Sequence, residues 1–222
     1  MNRSVTKDIY YLMRDINKLS DGQAMVVNFQ EQERTLFVSI TPNSGLYGNG
    51  QFIFKIYLAP NYPSTAPEVT CLTPIYHPNI ENLLVFGEDY GEICVSLLDE
   101  WQSCFNLDHV VQAILFLFYH PNLEDPFSPL FVPNMDYTTF ANCVKLSLEG
   151  GIVDDFTFPR NRCNEDSSSA NSDNVIAERI MDWNDTHVCR EQNNGDIDTT
   201  NKPGVVKSGI RSGNITPSVT IS

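Results

Sequence analysis

The 222 residues are 41% hydrophobic and carry a formal net charge of −14, enough apolar content for one domain of about 150 residues plus additional segments. That acidic balance lacks the basic footprint a phosphate backbone or an anionic membrane surface requires, so neither nucleic acid nor membrane is expected as a partner; basic protein surfaces are favoured. No apolar run reaches the roughly 18 residues of a membrane span, the polar start Met-Asn-Arg-Ser-Val-Thr-Lys-Asp has no apolar signal core, and the six cysteines show neither metal-ligand nor disulfide spacing. The expectation is a cytosolic or nuclear protein with reduced thiols, no metal and no cofactor.

In chain order, Val5, Ile9, Leu12, Ile16 and Leu19 draw one apolar stripe at helical spacing, with Ser4 as the expected cap. The period then shifts to two. Met25, Val27 and Phe29, then Leu36, Val38 and Ile40, then Phe52, Phe54, Ile56 and Leu58 read as three strands, and Glu68 to Leu72 as a fourth. Turn-formers fill Thr41 to Gly50, as in an antiparallel meander, and two prolines in Asn61 to Pro67 stiffen the crossing to the fourth strand. Helical spacing returns at Leu107, Val110, Val111, Ile114, Leu115 and Phe118, with Asn106 as the cap and Pro121 as the stop. A further helix runs through Tyr137, Phe140, Ala141, Val144 and Leu148 and closes at Gly150-Gly151. The domain is expected to span 1–163. Residues 164–222, rich in Ser, Asn, Asp and Thr, read as a disordered tail whose one apolar cluster is Val175, Ile176, Ile180, Met181 and Trp183. The tail holds nine acidic and five basic residues, which leaves the domain itself at −10.

The stretch Tyr76-His77-Pro78-Asn79-Ile80, followed by an insertion and then Gly91-Glu92-Ile93-Cys94-Val95-Ser96-Leu97-Leu98, carries the chemistry. Cys94 stands where a loop meets a packed segment, a setting that suits a nucleophile and equally suits a buried small hydrophobe. Taken alone, Asn79 reads as a turn cap, and Asp125 with its neighbour Glu124 as a solvated turn.

Together, Tyr62-Pro63, His77-Pro78-Asn79, Cys94 with Val-Ser-Leu-Leu after it, and Trp101 resemble the ubiquitin-conjugating enzyme family over roughly residues 5 to 160. Residues 119–126 and 147–158 resemble its neddylation branch. The resemblance implies an α+β UBC fold: an N-terminal helix, a four-stranded antiparallel meander, the active-site cysteine segment, then C-terminal helices. It implies a transferase in which Cys94 takes a ubiquitin-like modifier from an activating enzyme as a thioester and passes it to a substrate lysine. It implies that Asn79 stabilises the oxyanion of aminolysis, that Asp125 orients or deprotonates the lysine, and that His77, Pro78 and Trp101 are structural. The implied partners are the modifier, its activating enzyme, a RING-type ligase and a protein substrate, a cullin being one candidate. The chain departs from the family in a longer Asn79–Cys94 spacing, whose acidic Glu81, Glu88, Asp89 and Glu92 either bulge outward harmlessly or cover the thiol or raise its pKa. It also departs at Ala66, at Ser64 and Ser103 on the ligase-facing surface, and at Tyr11, where a basic residue usually helps dock the activating enzyme. A weakly active, conjugating-enzyme-like binding module is the alternative those departures keep open.

Overall fold

The first apolar stripe folds as α1 (Arg3–Leu19) and buries Val5, Ile9, Leu12 and Ile16. The structure, a computed structural model, describes residues 3–82 and 91–162; the expected tail over 164–222 lies outside them. α1 is already formed at Arg3, so Ser4 sits within its first turn and not at the cap expected of it.

The meander follows as β1 (Ala24–Gln30), β2 (Thr35–Ile40), β3 (Phe52–Tyr57) and β4 (Glu68–Cys71), hydrogen-bonded in sequence order and antiparallel throughout. Alternation sends Leu36, Val38 and Ile40 of β2, and Phe52, Phe54 and Ile56 of β3, into the main core beneath the helices. β1 breaks the expected alternation of Met25, Val27 and Phe29. A bulge between Val26 and Asn28 inserts one unpaired residue, so Val26 and Phe29 pack on the main core while Met25 is 50% exposed and Val27 turns to the other face. There Val27 and Leu72 join a separate small cluster around Phe37 and Ile53.

The loop between β2 and β3 is glycine-rich because Tyr47 must dive into the core. Tyr47 is 1% exposed and its hydroxyl donates to the Tyr76 carbonyl at 2.8 Å, while a Cβ on Gly50 would lie 2.8 Å from the Phe52 ring. Between β3 and β4, Trp101 Nε1–H donates to the Pro63 carbonyl at 2.8 Å and its ring packs against Tyr62 and Phe105. Trp101 thus braces the proline-bounded crossing.

After the cysteine come a single turn α2 (Ser96–Asp99), then α3 (Leu107–Tyr119) and α4 (Tyr137–Leu148). The sequence reading leaves α2 as an apolar run, because four residues are too few to display a helical period. α3 starts where expected: Asn106 Oδ1 accepts from the His109 N–H, and the Asn106 N–H donates to His109 Nδ1, both at 3.3 Å. A reciprocal cap of this kind stabilises a helix start by about 1 kcal/mol. Asp136 caps α4 by accepting from the Thr139 N–H at 2.9 Å. The chain then makes a hairpin, β5 (Ile152–Val153) and β6 (Phe156–Thr157), turned by Asp154 and Asp155 at φ 49° and 67°. Two-residue strands carry no period, so only their aromatics Phe156 and Phe158 stand out in the sequence. α1, α3 and α4 all bury their apolar faces against the same side of the sheet.

Candidate active site

The segment 76–80 is anchored from beneath. His77 is 1% exposed; its Nδ1 accepts the Asn79 N–H at 3.0 Å, which leaves Nε2 to donate to the Leu117 carbonyl at 3.1 Å. Leu117 lies in the last turn of α3, whose carbonyls have no partner within the helix, so the imidazole satisfies one of them. Burial outweighs that hydrogen bond and lowers the His77 pKa to about 4. The ring is therefore neutral at physiological pH and ties the 76–80 segment to the end of α3.

Pro78 and Asn79 hold the loop that follows α3. The Pro78 carbonyl accepts from the N–H groups of Phe127 and Ser128, both at 2.8 Å. Asn79, 4% exposed, accepts the Asn122 N–H on Oδ1 at 2.9 Å. Asn122 Oδ1 in turn accepts the N–H groups of Glu124 at 3.0 Å and Asp125 at 3.2 Å. One chain of hydrogen bonds therefore runs from Asn79 through Asn122 to Asp125. The sequence reading does not single out Asn122, although an Asn after Pro121 and two residues before Glu124 is a signal for a side chain that closes a turn on its own backbone.

Cys94 is brought to this loop by pairing across the insertion. Ile80 bridges Ile93, Glu81 N–H donates to the Glu92 carbonyl at 3.0 Å, and Cys94 N–H donates to the Asn79 carbonyl at 2.9 Å. On the far side Thr70 bridges Glu92 and Cys71 N–H donates to the Gly91 carbonyl at 2.7 Å, so the cysteine segment lies along β4. Gly91 takes φ 117°, which a side chain rarely adopts, and so Gly is needed where the chain re-enters. The Cys94 side chain is partly accessible, in contrast to the buried Cys71.

Burial first, then the carboxylates of Asp99 and Asp125, push the Cys94 thiol up. The acidic insertion does not act here through its described residues: the Glu81 carboxyl is itself raised, by burial and by Glu92, and the charges that bear on the thiol come from α2 and the 122–125 turn. Asp99 goes unnoticed in sequence because nothing local places it near the thiol. Because burial and these carboxylates disfavour a thiolate, site-resolved alkylation of Cys94 by iodoacetamide should show its inflection at higher pH than an ordinary free thiol does. Asp99→Asn should move that inflection to lower pH, and an unmoved profile would contradict the assignment. The same Asp125 carboxylate that opposes the thiolate is able to accept a proton from an amine.

Cys94, Asn79, His77, Pro78 and Asp125 are thus gathered at one place, where a partly accessible thiol lies beside a buried amide and a carboxylate. Trp101 serves the β3–β4 crossing instead. This is the architecture of a ubiquitin-conjugating enzyme. Residues 11–139, more than half of the chain, match the model of the ubiquitin-conjugating enzyme family, and the chain belongs to that family. It is similar to the NEDD8-conjugating enzyme Ubc12 of Arabidopsis thaliana, 33% identical over 155 residues that cover 67% of this chain and 80% of the relative. It is similar also to the Schizosaccharomyces pombe enzyme of that name, 31% identical over 152 residues, 66% of this chain and 82% of the relative. Among solved structures, Saccharomyces cerevisiae Ubc12 superposes with a TM-score of 0.50 at 27% identity, covering 59% of this chain and 66% of that one. The protein is a conjugating enzyme for a ubiquitin-like protein.

Proposed function

We propose that this enzyme carries NEDD8 as a thioester on Cys94 and transfers it to a lysine amine of a protein substrate. In the first step the Cys94 thiolate attacks the thioester carbonyl carbon on the activating enzyme; a new C–S bond forms and the activating enzyme's thiolate leaves. In the second an uncharged lysine amine attacks that carbon, the C–N bond forms, the amine gives up a proton, and the Cys94 thiolate departs. Asn79 supplies the amide donor for the oxyanion between these events, since its Oδ1 is held by Asn122 and Nδ2 is its remaining polar atom. Asp125 orients the amine and takes its proton. The partners are the activating enzyme, a RING-type ligase and a protein substrate, with a cullin as the candidate, in the cytosol or nucleus.

The observation that carries the reading is the backbone bond from Cys94 to Asn79 within a domain whose relatives are NEDD8-conjugating enzymes. Competition between the NEDD8-activating and ubiquitin-activating enzymes for a limiting pool of this protein tests it. Charging with NEDD8 should exceed charging with ubiquitin by at least about tenfold, which requires only about 1.4 kcal/mol of discrimination. Equal rates, or faster loading with ubiquitin, overturn the choice of modifier and leave the nucleophile intact. The reading as a binding module draws on the raised Cys94 thiol, and absence of any adduct with either modifier would decide for it.

A further inference from the structure

The loop after α3 carries two exposed apolar side chains close to the thiol. Phe127 is 39% exposed and Val132 65% exposed, yet the backbone beneath them is held. Phe127 N–H donates to the Pro78 carbonyl, Asn134 N–H donates to the Leu123 carbonyl at 2.7 Å, and between them Phe131 is buried with its ring 4.5 Å from that of Tyr76. These bonds close 123–134 on itself and on Pro78, so Phe127 and Val132 keep their places relative to Glu124 and Asp125. Because Cys94 N–H donates to the Asn79 carbonyl, Phe127 and Cys94 are attached to consecutive residues of the 76–80 segment. The carboxylates of Asp99 and Asp125 both bear on the thiol. Asp99, Glu124 and Asp125 are exposed, and among the described residues none of them has an ion-pair partner. The sequence around them supplies no cation either: residues 56–144 contain eleven Asp and Glu and not one Lys or Arg.

We propose, resting on Cys94 as the thioester carrier, that Phe127, Val132 and the carboxylates of Glu124, Asp125 and Asp99 select the acceptor: a lysine in a basic segment of the substrate, with an apolar side chain within two positions of it. The occupant follows from the reaction. An amine that attacks at Cys94 comes in beside Asp125, and the substrate chain on either side of that lysine has to lie on the adjoining surface. Phe127 follows Asp125 by two residues, a separation of at most about 7 Å, and one or two residues of an extended acceptor cover the same distance. An apolar side chain at that reach removes water from the exposed Phe127 ring. A basic side chain nearby meets carboxylates with no described counter-ion, so it is attracted without displacing an internal partner. An acidic acceptor segment brings like charges together and is disfavoured by the same groups. The surface thus reads the residues around the lysine, where the thiol and Asn79 act on the reacting atoms alone.

Single-turnover discharge of the full-length enzyme, charged with NEDD8, onto peptides that contain one lysine tests this selection. Arginines or glutamates flank the lysine, and leucine or serine stands within two positions of it. The arginine–leucine peptide should reach half-maximal discharge at a concentration at least about tenfold lower than the glutamate–serine peptide does. Raising the ionic strength from about 0.05 M to about 0.5 M should shrink the preference for arginine over glutamate and leave that for leucine over serine standing. Phe127→Ala should abolish the preference for leucine and Phe127→Leu should retain it, a pattern that a merely structural role of the ring does not produce. Equal discharge onto all four peptides, with free lysine accepted, overturns the proposal. So does a slowing in Phe127→Ala that is the same for every peptide, because the ring then meets the modifier and not the acceptor. Failure to charge at all overturns the carrier reading and this selection with it, a result distinct from equal discharge. Nuclear magnetic resonance titration of the uncharged, full-length protein locates the contact: the arginine–leucine peptide should shift the Phe127 and Val132 signals, and shifts on another face alone, or none, overturn the assignment.

Discussion

Cys94→Ala yields no adduct with any ubiquitin-like modifier, whereas Cys94→Ser yields a slower adduct that survives reductant, because a hydroxyl forms an ester in place of a thioester. Both follow from the thiol being the atom that exchanges bonds with the modifier's carbonyl carbon. The measurement is a charging reaction with ATP and the activating enzyme, resolved with and without reductant, and mass spectrometry locates the modifier. The competing thiols make this a sharp test. Among the described residues, Cys71 is buried at the end of β4, Cys143 is partly buried on α4, and Cys104 is exposed in the loop before α3. Exposure alone would select Cys104 among these four described thiols. A modifier found on Cys104 would show that accessibility and not the Asn79 neighbourhood chooses the nucleophile, and the proposed mechanism would fall.

Asn79 is expected to act on discharge and not on charging. Removing one oxyanion donor costs roughly 100-fold in rate, or about 3 kcal/mol. The two polar ends of the amide have separate tasks, however, since Oδ1 accepts the Asn122 N–H and thereby holds the turn that carries Asp125. Asn79→Ala removes both ends, while Asn79→Asp keeps an acceptor for Asn122 and removes the donor. With pre-charged enzyme and free lysine, both variants should discharge about 100-fold more slowly. If Asn79→Asp instead discharges at the wild-type rate while Asn79→Ala does not, the residue is a positioning group for the 122–125 turn. A fall in Tm of several degrees in Asn79→Ala with discharge unchanged would make it a structural cap alone.

The local features of this protein are legible in its sequence because each rests on neighbours a few residues apart. The spacing of Val5 to Leu19, the alternation of Leu36 to Ile40 and of Phe52 to Ile56, and the cap at Asn106 report helix, strand and helix start through the geometry of the backbone itself. The Tyr-His-Pro-Asn stretch and Cys94 mark the site, since their residue types belong together in one chemistry. Other features depend on contacts between distant parts of the chain. The bulge in β1 depends on how β1 docks against β2 and the core, and it reverses the facing of Val27. The neutrality of His77 comes from burial that outweighs its bond to the Leu117 carbonyl, 40 residues away, and the raised thiol of Cys94 from burial and then from Asp99 and Asp125 on two different elements. The bond from Asn79 to Asn122 spans 43 residues, so the turn that presents Asp125 exists only once the loop after α3 has packed on the loop after β4. Periodicity is a property of adjacent residues and can be read along the chain. Burial, electric field and long-range hydrogen bonding are properties of the packed volume, and only the tertiary structure decides them.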